Sequence, residues 1–190
     1  MILSDKDIKI ALKEKRLVFQ PKLNGDQIGP ASIDLKLSPI FKVFNTEKES
    51  LLDIKKGLPK NFTKTYKLKK GERFVLHPGN FILAGTLEYI KVPDNMVVRV
   101  EGKSSLARMG ILVHTAGFID PGFEGTITLE ISNQSNLAVA IYPDMYICQV
   151  AIHLMSTSAE VPYNLRKKSL YLKQKEPTEA DVKNLFQKKH

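Results

Sequence analysis

Residues able to grip a polyphosphate, hold a water molecule and move a proton crowd into one span, Val100 to Asn133, which reads VEGKSSLARMGILVHTAGFIDPGFEGTITLEISN. At its start, Lys103, Ser104, Ser105 and Arg108 set two hydroxyls and two cations on a short helix-like turn over 104–109. Such a turn offers amides, hydroxyls and positive charge to a phosphate, and the Arg108 fork could add a bidentate grip. Taken alone, a capped surface turn accounts for the same residues equally well. The phosphate loop GxxxxGK[ST] is excluded, because position 97 is valine and no βαβ unit surrounds it.

Further along, Gly117, Gly122 and Gly125 flank Asp120-Pro121. Glycines at this density specify a tight turn where a ligand can approach the backbone closely. An aspartate set among Phe118, Ile119 and Phe123 is a candidate for orienting a water or a sugar hydroxyl, and turn capping fits it equally well. The run Thr126–Ser132 alternates Ile127, Leu129 and Ile131 against Thr126, Thr128, Glu130 and Ser132. Glutamate is disfavoured in mid-strand. Glu130 is therefore either an ordinary solvent-facing residue or a carboxylate facing a nucleotide pocket as a proton shuttle.

Metal chemistry finds no support in the spacing. His77, His114, His153 and His190 have no ligand-like separation from one another or from Cys148, and the zinc deaminase pattern of H-x-E followed by P-C-x-x-C is absent. His114 adjoins the glycine-rich loop and either lines the pocket or is structural. Cys148 falls on the apolar side of its strand and reads as core.

The elements that must position these residues are mostly short strands. Ser4 caps a first helix, with Asp7 reaching back, Leu3 and Ile8 as a staple, and Ile8, Ala11 and Leu12 on one face. Residues 21–30 are rich in turns, and Ala31–Leu37 alternates with Asp34 outward, an ordinary solvent-facing position first and a site or interface residue as the alternative. From Thr46 to Lys70 lysine dominates, which predicts a long surface loop, a candidate lid or arm. Strands return at Arg73–Leu76, Phe81–Leu87, Met96–Glu101, Leu137–Tyr142 and Tyr146–Leu154, joined by Gly, Pro and Asn turns. In the last of them Tyr146 shares the apolar side with Cys148, and Gln149 faces the other way. Pro177–Asp181 then caps a short C-terminal helix carrying Val182, Leu185 and Phe186. The pattern predicts a mainly-β distorted barrel or jelly roll with a short helix at each end. One domain spans residues 1–190, with an arm from about 156.

The chain has 190 residues, a formal net charge of +9 and a single cysteine. One cysteine rules out an intrachain disulfide framework and suits a reducing, cytoplasmic compartment. No apolar run reaches membrane-spanning length, and no signal peptide opens the chain. The positive charge suits polyanionic small molecules. A basic β-barrel for nucleic acid is the remote alternative, since stacking aromatics and a regular basic stripe are missing.

Taken together, the opening MILSD, Pro30–Leu37, the whole central stretch, Tyr142–Val150 and Pro162-Tyr163 closely resemble the dCTP deaminases of the trimeric dUTPase superfamily. GKSSLAR followed by AGFIDPGFEG and ITLE is highly specific. The resemblance implies a homotrimer with active sites at subunit interfaces. It implies that Lys103, Ser104, Ser105 and Arg108, with Leu106 and Ala107 between them, bind nucleotide, mainly the triphosphate. Asp120 then contacts deoxyribose and activates water, Thr128 and Leu129 read the base, and Glu130 transfers the protons of deamination with Ser104 helping to hold the water. Gln149, Tyr163 and Gln174 are further triphosphate contacts. Magnesium arrives on the triphosphate, no zinc is used, and dTTP is a candidate feedback inhibitor.

Gly117-Phe118 is similar to the branch that converts dCTP through dUTP to dUMP, which supplies thymidylate synthesis; monofunctional bacterial enzymes carry a His-Arg pair there. Release of dUTP by a monofunctional deaminase is the first alternative, and a dUTP diphosphatase the second. The glycine-rich C-terminal motif of plain dUTPases is missing. The arm departs from the family pattern at Leu170-Tyr171, where a lysine normally precedes the tyrosine. Lys168 and Lys173 are candidate substitutes for it.

Overall fold

The computed structural model describes residues 1–46, 51–114, 117–182 and 185. Helix α1 (Asp5–Lys13) is capped as expected, the Ser4 hydroxyl accepting from the Asp7 amide and donating to its carboxylate. Its apolar face buries Ile8 and Ala11 against the main core.

Among the described residues, twelve strands follow. A six-stranded sheet runs in the order β4 (Thr63–Lys67), β3 (Ile40–Phe44), β6 (Phe81–Lys91), β10 (Glu124–Asn133) and β8 (Ile111–Val113), with β1 (Val18–Gln20) pairing the far end of β6. A four-stranded sheet runs β2 (Ile33–Lys36), β12 (Tyr146–Leu154), β7 (Met96–Gly102) and β9 (Phe118–Ile119). A small ribbon joins β5 (Phe74–Leu76) to β11 (Val139–Ile141). All the strand pairs are antiparallel. The mainly-β class holds, with the described strands forming three sheets that do not close into one barrel.

Between the sheets lies an apolar core built from the inward positions of the alternating strands, among them Ile33, Leu35, Ile82, Val98, Leu129, Ile131, Cys148 and Val150. Cys148 is a buried free thiol whose pKa burial pushes far up, in keeping with its place in the core.

The loop expected over Thr46–Lys70 changes, and two strands go unread in the sequence. Thr63–Lys67 lies within the predicted loop but forms edge strand β4, whose exposed lysines protect an open sheet edge from further pairing. β1 and β3 had no alternation long enough to read. The residues expected to cap the C-terminal helix, 177–182, are irregular and lie across the sheet, while the helix itself, with Phe186, falls largely outside the described residues. Among the described residues no helix is long and apolar enough to cross a membrane.

Candidate active site

Strand β10 carries the candidate proton shuttle, and an irregularity sets its orientation. The β6–β10 register slips between Thr126 and Thr128, so that Thr126 pairs with Tyr89 while Thr128 pairs with Gly85. The slip is stitched by Thr86, whose hydroxyl donates to the Glu88 carbonyl at 2.8 Å and accepts from the Ile127 amide at 3.0 Å. Beyond it Thr128 and Glu130, two residues apart, project from one face into a cavity of about 590 Å3. Asp120, Phe118, Ile119 and Phe123 of the glycine-rich turn line the same cavity, as do Tyr163 and Gln174 of the arm.

Glu130 is half-buried and lines this largely apolar hollow rather than facing open solvent. Burial holds its carboxyl above the usual glutamate range, with its own backbone amide and the nearby His114 pulling the other way. His114 is anchored by Nε2 at 2.8 Å from Ser132 Oγ and stands edge-on to Phe81, a cavity residue, at 5.6 Å. The amide of His114 donates to the Glu130 carbonyl at 2.8 Å.

Asp120 opens the turn that the glycines announced. The amide of Phe123 donates to its carbonyl at 3.1 Å, and Arg166 Nη1 lies 3.9 Å from its carboxylate. Gly122 adopts φ +78°, and a Cβ there would fall 2.6 Å from Asn164 Oδ1 and 2.7 Å from Pro162 Cβ. The glycine therefore lets the arm dock on the turn, where the Tyr163 amide donates to the Pro121 carbonyl at 2.7 Å. Gly117 answers a different need, since a Cβ would lie 2.7 Å from Val100 Cβ in the neighbouring strand. Its partner Phe118 is 64% exposed and lines the cavity.

The arm is organised by the residues expected to touch phosphate. Tyr163 accepts at its hydroxyl from the amides of Leu170 and Tyr171 at 3.2 and 3.0 Å, and Ser169 donates to its carbonyl. The Gln174 side chain donates to the Thr126 carbonyl at 2.7 Å and to Thr128 Oγ1 at 3.3 Å, while its Oε1 accepts from the Thr178 hydroxyl. Thr128 Oγ1 also accepts from the Thr178 amide at 3.2 Å. Glu179 then ties the segment down through Lys42 at 3.1 Å and the Thr63 hydroxyl. The segment 174–179 thus forms one wall of the cavity, a role that no helical or strand periodicity announced. Leu52 and Leu58, from the predicted loop, complete another wall.

A second constellation lies apart from this cavity. None of Lys103, Ser104, Ser105, Arg108 and Gln149 lines it. Lys103 precedes the single turn α2 (Ser104–Ala107), where Ser104, Ser105, Ala107 and Arg108 are exposed and Leu106 is buried. Leu129 is likewise core, so what Leu106 and Leu129 can offer a ligand is backbone. Lys103 Nζ lies 2.6 Å from Asp34 Oδ2, and Gln149 faces Asp34 across the β2–β12 ladder with Ser32 Oγ donating to it at 3.5 Å. Asp34, expected to face solvent, is half-buried in this pair. Tyr146 also moves. A register shift between Tyr146 and Cys148 carries its ring to the polar side, beneath Lys36 and Lys103.

Among the described residues no three His, Cys, Asp or Glu side chains gather to hold a metal ion. The model of a family described as dCTP deaminase-like matches residues 2–155. A Dictyoglomus turgidum protein named dCTP deaminase, dUMP-forming, is 46% identical over 184 residues, 96% of this chain and 95% of that protein. A Methanobrevibacter smithii protein of the same name is 45% identical over 185 residues, again 96% and 95% of the two chains. The solved structure of 2'-deoxycytidine 5'-triphosphate deaminase from Agrobacterium tumefaciens shares the fold with a TM-score of 0.63 at 23% identity. It matches 80% of this chain, which spans about half, 48%, of that one.

Proposed function

Because the chain belongs to the dCTP deaminase-like family, we propose that it deaminates dCTP and cleaves the resulting dUTP to dUMP and diphosphate in a single site. The observation that carries this reading is the Glu130 carboxyl, desolvated in a cavity that it shares with Thr128 and Asp120. Water attacks C4 of the cytosine. Glu130 removes a proton from that water and delivers it to the ring nitrogen; it then takes the proton of the new C4 hydroxyl and passes it to the amino group, so that C4=O forms, the C4–N bond breaks and ammonia leaves. A carboxylate held above its ordinary pKa accepts and releases protons near neutrality more readily, and such catalysis contributes roughly 100- to 10,000-fold.

Asp120 serves the second step. It takes a proton from a water that attacks the α-phosphorus, the bond to the bridging oxygen breaks, and diphosphate leaves. Phe118 and Phe123, in the same cavity wall, limit water to the molecules that react.

Lys103, Ser104, Ser105, Arg108 and Gln149 grip the triphosphate, with Ser104 helping to hold the attacking water. Since they lie off the Glu130 cavity, the complete site forms where the β2–β12 face of one subunit meets the cavity of the next in a homotrimer. Magnesium enters as part of the nucleotide and the chemistry uses no zinc. The enzyme works in the cytoplasm, supplies dUMP, and takes dTTP as a feedback inhibitor.

Incubation with dCTP and magnesium, followed by chromatographic separation of nucleotides, tests the reading. Appearance of dUMP without free dUTP supports it. Accumulating dUTP would restrict the enzyme to deamination, and an untouched dCTP pool would defeat the proposal.

A further inference from the structure

We propose that Asp34 is a positioning residue, an internal anion that occupies the Lys103 ammonium until a phosphate tail of sufficient charge displaces it. The inference rests on the reading of Lys103 as a phosphate contact. The two side chains meet at 2.6 Å with only 26% and 22% of their surfaces exposed, which places the pair well away from the weakly coupled ion pairs of open surfaces.

The pair sits within a small charged face. Lys103 Nζ is 5.9 Å and Lys36 Nζ 6.0 Å from the centre of the Tyr146 ring, so two ammonium groups share one aromatic platform. Asp34 cancels one of those charges, and Gln149, its partner across the ladder, adds none. Strand β2 presents Asp34 and Lys36 on one side because Ile33 and Leu35 occupy the other, and this alternation holds the carboxylate against the lysine.

A single phosphate arriving at Lys103 exchanges one anion for another and gains little. A longer tail supplies further charge for Lys36 and for the donors around Ser104, and it outcompetes the carboxylate. Asp34 thereby sets how many phosphates a ligand needs.

Calorimetric titration of the full chain with inorganic pyrophosphate and tripolyphosphate tests this in four proteins: wild type, Asp34→Asn, Lys103→Met and the double variant. Neutralising Asp34 should tighten pyrophosphate binding about tenfold, the order expected for one partly desolvated charge pair, and narrow the preference for tripolyphosphate. In the Lys103→Met background the change at position 34 should fall within about twofold. Asp34→Glu should restore the wild-type preference.

Unchanged or weaker pyrophosphate binding in Asp34→Asn overturns the assignment, and so does equal tightening with and without Lys103. Absence of tripolyphosphate binding to wild type overturns it as well. Asp34→Ser is a second neutral variant judged by the same criteria should the asparagine protein fail to fold. If these results hold while dCTP is not consumed, the deaminase reading fails alone. If dCTP is deaminated but Asp34→Asn binds pyrophosphate like wild type, only the role of Asp34 is lost.

Discussion

His114 and Glu130 are joined just beyond the β8–β10 ladder by a 2.8 Å bond from the histidine amide to the glutamate carbonyl. The backbone bond ties the strand position of the carboxyl to a neighbouring imidazole, itself fixed by Ser132 and Phe81. In the proposed mechanism Glu130 must be ionised to take the first proton. Because burial raises its pKa, the acidic limb of kcat/KM should lie above the ordinary glutamate value, with activity rising through it as pH increases. His114 pulls that pKa down, so His114→Gln should move the limb to still higher pH. A pH–rate profile that is unmoved by the substitution would remove His114 from this role.

Replacing the carboxyl while keeping its shape separates chemistry from binding. Glu130→Gln should lower ammonia release by roughly 100- to 10,000-fold and leave dCTP binding within a few-fold, as measured by coupled ammonia assay and calorimetry. Retained deamination would take Glu130 out of the mechanism.

The role proposed for Asp120 lies in the second step. Asp120→Asn should slow diphosphate release about 100-fold or more while deamination continues, so dUTP builds up in a dCTP time course. Equal loss of both steps would show instead that Asp120 positions the sugar for each of them.

The proposed interfacial sites lead to a subunit-mixing prediction. Lys103→Met and Glu130→Gln proteins, each inactive or weak, should regain about a quarter of wild-type activity when unfolded together and refolded as random 1:1 mixtures. Sites contained within one subunit would show no recovery.

Glu88 provides a stability test away from the chemistry. Its carboxylate is buried, accepting from Gln27 Nε2 at 2.8 Å and the Lys36 amide at 2.9 Å, yet desolvation still raises its pKa. The native state therefore binds the proton more tightly than the unfolded chain does. The associated stability is complete below the ordinary glutamate value and is lost as pH rises through the raised native value. Relative to Glu88→Gln, wild type should weaken over that window by at most about 1.4 kcal/mol per pH unit. Urea unfolding at fixed protein concentration reads the difference, and a pH-independent gap would contradict it.

Much of this protein was written locally. The Ser4 cap and the alternation of Ile33, Leu35 and Leu37 specify a helix and a strand through contacts between near neighbours, and both form as expected. The GKSSLAR and AGFIDPGFEG runs identify the chemical groups, because their glycines, hydroxyls and charges are set by residue type alone. Position across the molecule was another matter. Glu130 and Asp34 each sit in an alternating strand whose outer face reads as solvent. Only the packing of the arm over β10, and of Lys103 beside β2, shows that neither faces open water. A one-residue register shift turns Tyr146 to the polar side, and no periodicity encodes where a bulge will fall. The segment 177–182 carries helix-cap signals, yet its place across the sheet is set by Thr128, Lys42, Thr63 and Tyr171, which bond its backbone and side chains from distant strands and from the arm. Sequence determined which groups are present and the local shape around each; tertiary contacts decided which of them share a cavity, since burial and long-range hydrogen bonds outweigh the small local preferences that a sequence displays.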